Sequence, residues 1–280
     1  MPGVYVVTDS SSDLTPDEVA DLDVEIVPLT VRFGPDEFTD GVELSVEDFY
    51  KRMAASEELP QTACPAPGAF AAAFQRAADA GADAVVCVTI SGDLSNTLQS
   101  AETAAAGFAG GIPVRVVDSR SVSAGLGTMV LEAAASARSG ADLDAVVAGV
   151  EGLIPRTRVF AVLNTLENLR KGGRIGGAKA MVGSMLSIKP MVDVTGGTVR
   201  EAGKARTRRR AMDLLYQQMT DAGDISDVAV MHGLASDIQE FLDLIAPRFS
   251  RASIRLGILG AVIGVHGGSG ILGVSWVGGA

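Results

Sequence analysis

Two rhythms of apolar spacing divide the chain. In the first half, short apolar runs at residues 4–7, 24–31, 84–90 and 114–117 alternate with longer stretches at 45–55, 67–80, 95–108 and 122–139, where apolar positions recur every three or four residues. The short runs read as strands and the longer ones as helices with one apolar stripe. Strands alternating with helices predict a parallel sheet covered by helices. The helix starts carry their own signals. Thr15-Pro16-Asp17-Glu18 offers an N-cap, a proline at the first helical position and a capping-box acid, and Ser45 with Asp48 repeats the device.

After Gly152 the rhythm changes. Residues 158–163 and 186–194 read as strands, and 198–202 as another, joined across the Gly196-Gly197 turn. A hairpin there predicts an antiparallel or mixed sheet. Further strands are expected at 227–231, 254–259 and 271–277, and helices near 208–219 and 236–246. The division falls near residue 153, giving a parallel α/β domain over 1–153 and a mixed or antiparallel-sheet α/β domain over 154–280. No proline-rich or charged linker marks it, so close packing of the two is expected. From Leu256 to the end the ionisable side chains reduce to His266, which on length alone suggests a membrane span. Nine of those 25 residues are glycine, so two buried strands around a glycine turn are the better expectation.

Composition narrows the function. With 280 residues and 47% apolar content the chain can bury a substantial core. Its 23 Lys plus Arg against 34 Asp plus Glu leave a net charge of −11, which excludes a broad nucleic-acid surface. Two cysteines without metal-ligand spacing, and no basic leader before the first apolar run, place the expectation in the cytoplasm. Gly268-Ser269-Gly270-Ile271-Leu272-Gly273 matches a dinucleotide fingerprint in letters, but only seven residues follow it, too few for the βαβ unit the motif serves. No GxxxxGK[ST] loop, HExxH pair or GxSxG elbow is present, and two histidines alone make no zinc site. No cofactor or metal is expected.

Four polar loops sit where strands should end, the place where α/β sheets bind ligands. Thr8-Asp9-Ser10-Ser11-Ser12-Asp13 could bond a ligand, or serve as turn and cap residues. In Thr62-Ala63-Cys64-Pro65-Ala66-Pro67-Gly68 the prolines could hold Thr62 in one orientation, or merely separate two elements. Ser91-Gly92-Asp93-Leu94-Ser95-Asn96-Thr97 gathers hydroxyls at a helix start, a ready anion site, although Ser95 as a plain N-cap needs no ligand. Arg170-Lys171-Gly172-Gly173-Arg174-Ile175-Gly176 is a basic turn whose arginines could pair with a carboxylate or phosphate, or sit solvated at a helix end. Lys204, Arg206, Arg208, Arg209 and Arg210 place five cations in seven residues, of which Arg208, Arg209 and Arg210 read as a solvated face, and His266 reads as a core histidine or a pocket donor.

Taken in order, these segments resemble the DegV family, whose fatty-acid-binding members act as the FakB component of bacterial fatty acid kinase. The resemblance rests on Thr8 to Leu14, Asp40-Gly41, the Thr62 loop, Leu94-Ser95-Asn96-Thr97 with Gln99-Ser100-Ala101, and Val117-Asp118-Ser119. In the second half it rests on Lys171-Gly172-Gly173-Arg174-Ile175, Ile188-Lys189-Pro190, Gly203-Lys204-Ala205-Arg206 and the His266 turn. It implies a two-domain DegV-type fold with a long-chain fatty acid, such as palmitate or oleate, between the domains. Carried over by position, Thr62 and Ser95 hydrogen-bond the carboxylate, with Arg174, Arg206 and His266 as secondary candidates that face the head group, a kinase partner or an acyl phosphate. The chain would then be a lipid carrier for a separate ATP-dependent kinase, with transient membrane contact compatible with lipid exchange. The sequence departs from the family at Ala63 and Cys64, where Ser and Gln are usual, at Asn96 in place of Gly, and at Ser269 in place of Pro. Two alternatives stand beside this reading: an enzyme using Ser95, His266 and Arg174 on a small phosphorylated or carboxylated metabolite, and a regulatory module with no small ligand.

Overall fold

The computed structural model describes residues 3–20, 22, 24–184 and 188–279. The chain opens with β1 (Val4–Asp9), the short helix α1 (Pro16–Val19) and β2 (Val24–Val27). A small ribbon follows, β3 (Thr30–Phe33), β4 (Asp36–Thr39) and, after α2 (Val46–Ala55), β5 (Gln61–Ala63). The first half is completed by α3 (Pro67–Asp79), β6 (Ala84–Thr89), α4 (Thr97–Gly107), β7 (Val114–Asp118), α5 (Ala124–Arg138) and α6 (Leu143–Leu153).

As the alternating rhythm predicts, the first sheet is parallel throughout, in the order β2-β1-β6-β7. β6 is buried at every position and serves both faces by alternation. Val85 and Cys87 pack against Phe70, Phe74 and Ala101 of α3 and α4, whereas Val86 and Val88 share a core with Leu126, Met129 and Val146 of α5 and α6.

The second half comprises β8 (Thr157–Val162), α7 (Glu167–Lys171), β9 (Lys189–Asp193), β10 (Arg200–Ala205), α8 (Arg208–Asp221), β11 (Ile225–His232), α9 (Ile238–Ile245), β12 (Arg255–Ile258), α10 (Ala261–Gly267) and β13 (Leu272–Gly278). These strands form a mixed sheet in the order β10-β9-β8-β13-β11-β12, antiparallel except for the β11–β12 pair. One face, with Val162, Met191, Val274 and a stacked Phe160–Trp276 pair at 5.4 Å, lies under α8 and α9. The other face, with Val159, Ala161, Val192 and Met231, belongs to the same core as α5 and α6. The two sheets are thus joined by a shared apolar layer, and α6, the last element of the first half, ends at Leu153.

Several expectations need correction. The run 24–31 is two strands in different sheets, because Pro28 has no N–H for a ladder and breaks it between β2 and β3. The helices α6 and α7 lie in segments where none was expected. The strand expected over 186–194 begins outside the described residues, and its described part is β9. Most importantly, the C-terminal segment is not two strands around a glycine turn. The helix α10 stands between β12 and β13, and His266 lies in its last turn. Ala261, Val262 and Val265 of this helix share a core with Leu29, Phe49 and Tyr50. Gly264 faces Phe49 and Tyr50 so closely that a Cβ there would collide with the phenyl ring.

The ribbon β4-β3-β5 is the piece that matters for function. It belongs to the first half of the sequence, yet packs on α10 near the C-terminus. Its strand β5 carries Thr62 at the centre, paired with Val31 of β3.

Candidate functional site

Between the inner face of the mixed sheet and the loops that end β6 and begin α5 lies a cavity. The residues themselves explain the space. Along that face of the sheet, Gly273 stands opposite Ala161 and Met231, and a Cβ at Gly273 would meet nothing nearer than 3.6 Å. Small side chains on a layer where larger ones would interdigitate leave a void. Its walls are largely apolar and buried, Ile90, Val159, Val192, Val194 and Met231 among them. An apolar cavity with a few convergent polar groups is the usual form of a small-molecule site.

The polar groups converge at one end. Thr62, Ser95, Arg174 and His266 all line the cavity, and all four are only part-buried, so this end is its mouth. The Thr62 hydroxyl lies 3.1 Å from His266 Nε2, joining positions 204 apart in sequence. Ser95 Oγ accepts the Thr97 N–H at 3.3 Å and lies 2.9 Å from Thr97 Oγ1, so it sits at the start of α4 in the role of a cap while also facing the cavity. Arg174 spans the two halves. Its Nε donates to the Leu94 carbonyl at 3.0 Å and one Nη to the Gly172 carbonyl at 2.8 Å, which holds a guanidinium beside the Ser95 loop. Gly172 is required because any Cβ would strike the His266 ring.

Burial, and secondarily the positive charge of Arg174, push the His266 imidazole down to about 4. The ring is therefore neutral near pH 7, with one nitrogen able to donate and the other to accept. Its Nδ1 is buried without a partner. A carboxylate at the mouth would meet the hydroxyls of Thr62 and Ser95 and a fixed arginine, the groups that prevent an unpaired charge.

The other candidates are placed differently. Arg206 is exposed one residue beyond β10 and is not among the residues that line the cavity. Its neighbours are spent on the surface: Arg208 pairs with Asp237 at 2.8 Å and Arg209 with Glu240 at 2.7 Å. In the basic turn, Arg170 and Lys171 both pair with Glu167, leaving Arg174 as the cation that turns inward. The first polar loop is structural. Asp9 is fully buried, accepting from the Ile90 N–H at 2.8 Å and from Ser11, and so ties the end of β1 to that of β6. Asp13 accepts from the Gly260 N–H at 2.9 Å and from Ser123 Oγ, and burial pushes its carboxyl up to about 7. Cys64 of the Thr62 loop also lines the cavity, as do Ser123 and Ser275, which were not anticipated. No local pattern marks them, since their orientation depends on packing far away in sequence. Among the described residues no His, Cys, Asp and Glu cluster could hold a metal, and no helix is long and apolar enough to cross a membrane.

A family model described as "uncharacterised protein, DegV family" matches residues 3–278. The chain belongs to the DegV family. A DegV domain-containing protein of Deinococcus radiodurans is 37% identical over 284 residues, covering 97% of each chain. Among solved structures, the chain is similar to a DegV family protein from Thermus thermophilus described by its fatty acid binding, with a TM-score of 0.90, 34% identity and 99% of each chain covered. It is similar also to DegV of Bacillus subtilis, described as a fatty acid binding protein, with a TM-score of 0.88, 26% identity and 99% of each chain covered. A DegV family protein from Ruminococcus gnavus, described with vaccenic acid, gives a TM-score of 0.86 at 27% identity, covering 97% of this chain and 98% of that one. The two-sheet architecture is the DegV fold.

Proposed function

We propose that this protein binds a long-chain fatty acid in the cavity, holds the carboxylate at Thr62 and Ser95, and presents it to a separate ATP-dependent fatty acid kinase. The observation that carries the reading is the cavity's polarity: largely apolar walls, with two hydroxyls, an arginine and a neutral imidazole gathered at its mouth. Each methylene buried contributes about 0.8 kcal/mol, so a chain of roughly 16 carbons has on the order of 10 kcal/mol available before the costs of association. The mouth need only pair the charge. Its part-exposed position supports the kinase role, because an enzyme that phosphorylates the carboxylate must reach it from outside. The fatty-acid-binding relatives supply independent support for the ligand class.

A self-contained enzyme acting on a small phosphorylated or carboxylated metabolite is less well supported. Ser95 bonds Thr97 and His266 bonds Thr62, so no Ser–His pair is formed.

Titration of delipidated protein with palmitate or oleate tests the reading: saturable binding with concentration-dependent thermal stabilisation is expected, and no binding of either overturns it. The variant Thr62→Ala with Ser95→Ala is expected to lose about 10- to 100-fold in affinity, since two hydrogen bonds to a charged group are removed. Unchanged affinity refutes the carboxylate assignment. Acyl phosphate trapped as a hydroxamate, with ATP and a fatty acid kinase present, tests the partnership; no product above a control lacking this protein overturns it.

A further inference from the structure

The deep end of the cavity contains one polar group that the head-group chemistry does not use. Ser275, on β13, is 2% exposed, and its Oγ is buried without a hydrogen-bond partner. Its direction follows from register. Ser275 stands opposite Val159 of β8 and Ala229 of β11, both in the core shared with the first half, whereas Val274 and Trp276 point to the other face under α8 and α9. Directly opposed residues project from the same side of a sheet. The Ser275 hydroxyl therefore faces the cavity whose wall it forms. The second buried serine of that wall, Ser123, is already committed to Asp13. Ser12, Thr89 and Ser121 also hold unpartnered hydroxyls, but none of them lines the cavity.

A buried hydroxyl left unpaired is unfavourable and calls for a partner. Hydrocarbon supplies none. From Ile271, which touches the end of α10 at Gly267 and precedes β13 by one residue, to Ser275 is four residues, about 13 Å of extended chain. A chain entering at His266 would pass Ser275 near or beyond its middle.

We propose that Ser275 is a hydrogen-bonding position for an oxygen carried within the acyl chain, so that the ligand class extends to long-chain fatty acids with a mid-chain hydroxyl. The proposal rests on the fatty-acid reading above and deepens it. The alternative role for Ser275 is size alone, a small side chain that keeps the cavity open.

Oleate and ricinoleate, which differ by one mid-chain hydroxyl, separate these roles. Affinities of both are measured by calorimetry on delipidated wild-type protein and on Ser275→Ala. The preference for ricinoleate over oleate is expected to be about tenfold greater in the wild type than in the variant, the worth of one hydrogen bond in a double-mutant comparison. The same preference in both proteins overturns the proposal and leaves the fatty-acid reading intact, whereas failure of the wild type to bind either lipid overturns that reading itself. Should the variant not fold, a crystal structure of the wild type with ricinoleate decides: its hydroxyl is expected about 2.8 Å from Ser275 Oγ, and any placement out of hydrogen-bond reach overturns the assignment.

Discussion

The loop after β1 and the loop after β6 look alike in sequence, both rich in Ser, Thr and Asp and both at the carboxyl ends of parallel strands, yet only one contributes to the mouth. In the first, each carboxylate is filled from within: Asp9 by Ile90 and Ser11, Asp13 by Gly260 and Ser123. In the second, Ser95 keeps one side toward the cavity while Arg174 anchors the Leu94 carbonyl beside it. Polar residues at a strand end become a site when their hydrogen-bonding capacity is not exhausted by the fold. The first loop instead fastens the two halves together.

The sharpest way to isolate the cavity from both loops is to fill it. Gly273→Leu places a side chain where a Cβ has room and no positive φ forbids it, so folding should persist while fatty-acid affinity falls by at least about 100-fold. Binding at wild-type affinity would refute the cavity as the acyl site. Next in size, Asp9→Ala strips the Ile90 N–H and Ser11 of their acceptor, an expected loss of about 3 kcal/mol that lowers Tm by about 5–10 °C. The Thr62→Ala, Ser95→Ala pair should weight the two effects the other way, costing affinity with a smaller fall in Tm than Asp9→Ala. If the two loops exchanged these outcomes, the division of labour between them would be mistaken.

The finest contrast is in pH. Asp13 is raised to about 7 from 3.8, so the folded state holds its proton more tightly than the unfolded one. Its contribution to stability is present below 3.8 and is lost as pH climbs to about 7. His266 is lowered from 6.5 to about 4, so its contribution is present above 6.5 and is lost as pH falls toward 4. Thermal melts of ligand-free protein across this range should show Asp13→Asn easing the loss on the alkaline side and His266→Gln easing the loss on the acid side. Variants that leave the wild-type profile unaltered would contradict these environments.

Much of the fold was legible because periodicity and local chemistry agreed. The Thr15–Glu18 capping box, the alternating first half and the hairpin at Gly196-Gly197 all appear where their signals stand. Where glycine and β-branched residues lowered helix propensity, as in Ala-Val-Val-Ala-Gly-Val of α6 and Ala-Val-Ile-Gly-Val of α10, the helices were hidden. Tertiary packing supplies what propensity lacks, through Val146 and Val150 in one and Val262 and Val265 in the other. For the site, each loop alone was nearly as well explained as a turn or a cap. Thr62, Ser95, Arg174 and His266 could be singled out together through the family resemblance, whereas Arg206, drawn in by the same resemblance, stands outside the cavity. Ser275 was invisible because its neighbours resemble any other buried strand.

The 204-residue separation between Thr62 and His266 also bears on how the protein is made. Contacts that close so long a loop are costly in chain entropy and tend to form late. During synthesis the ribbon bearing Thr62 must wait for nearly the whole chain to emerge before its partner helix exists. A competent mouth therefore doubles as a certificate of completed folding, since a nascent or half-folded chain cannot yet bring Thr62 and His266 together.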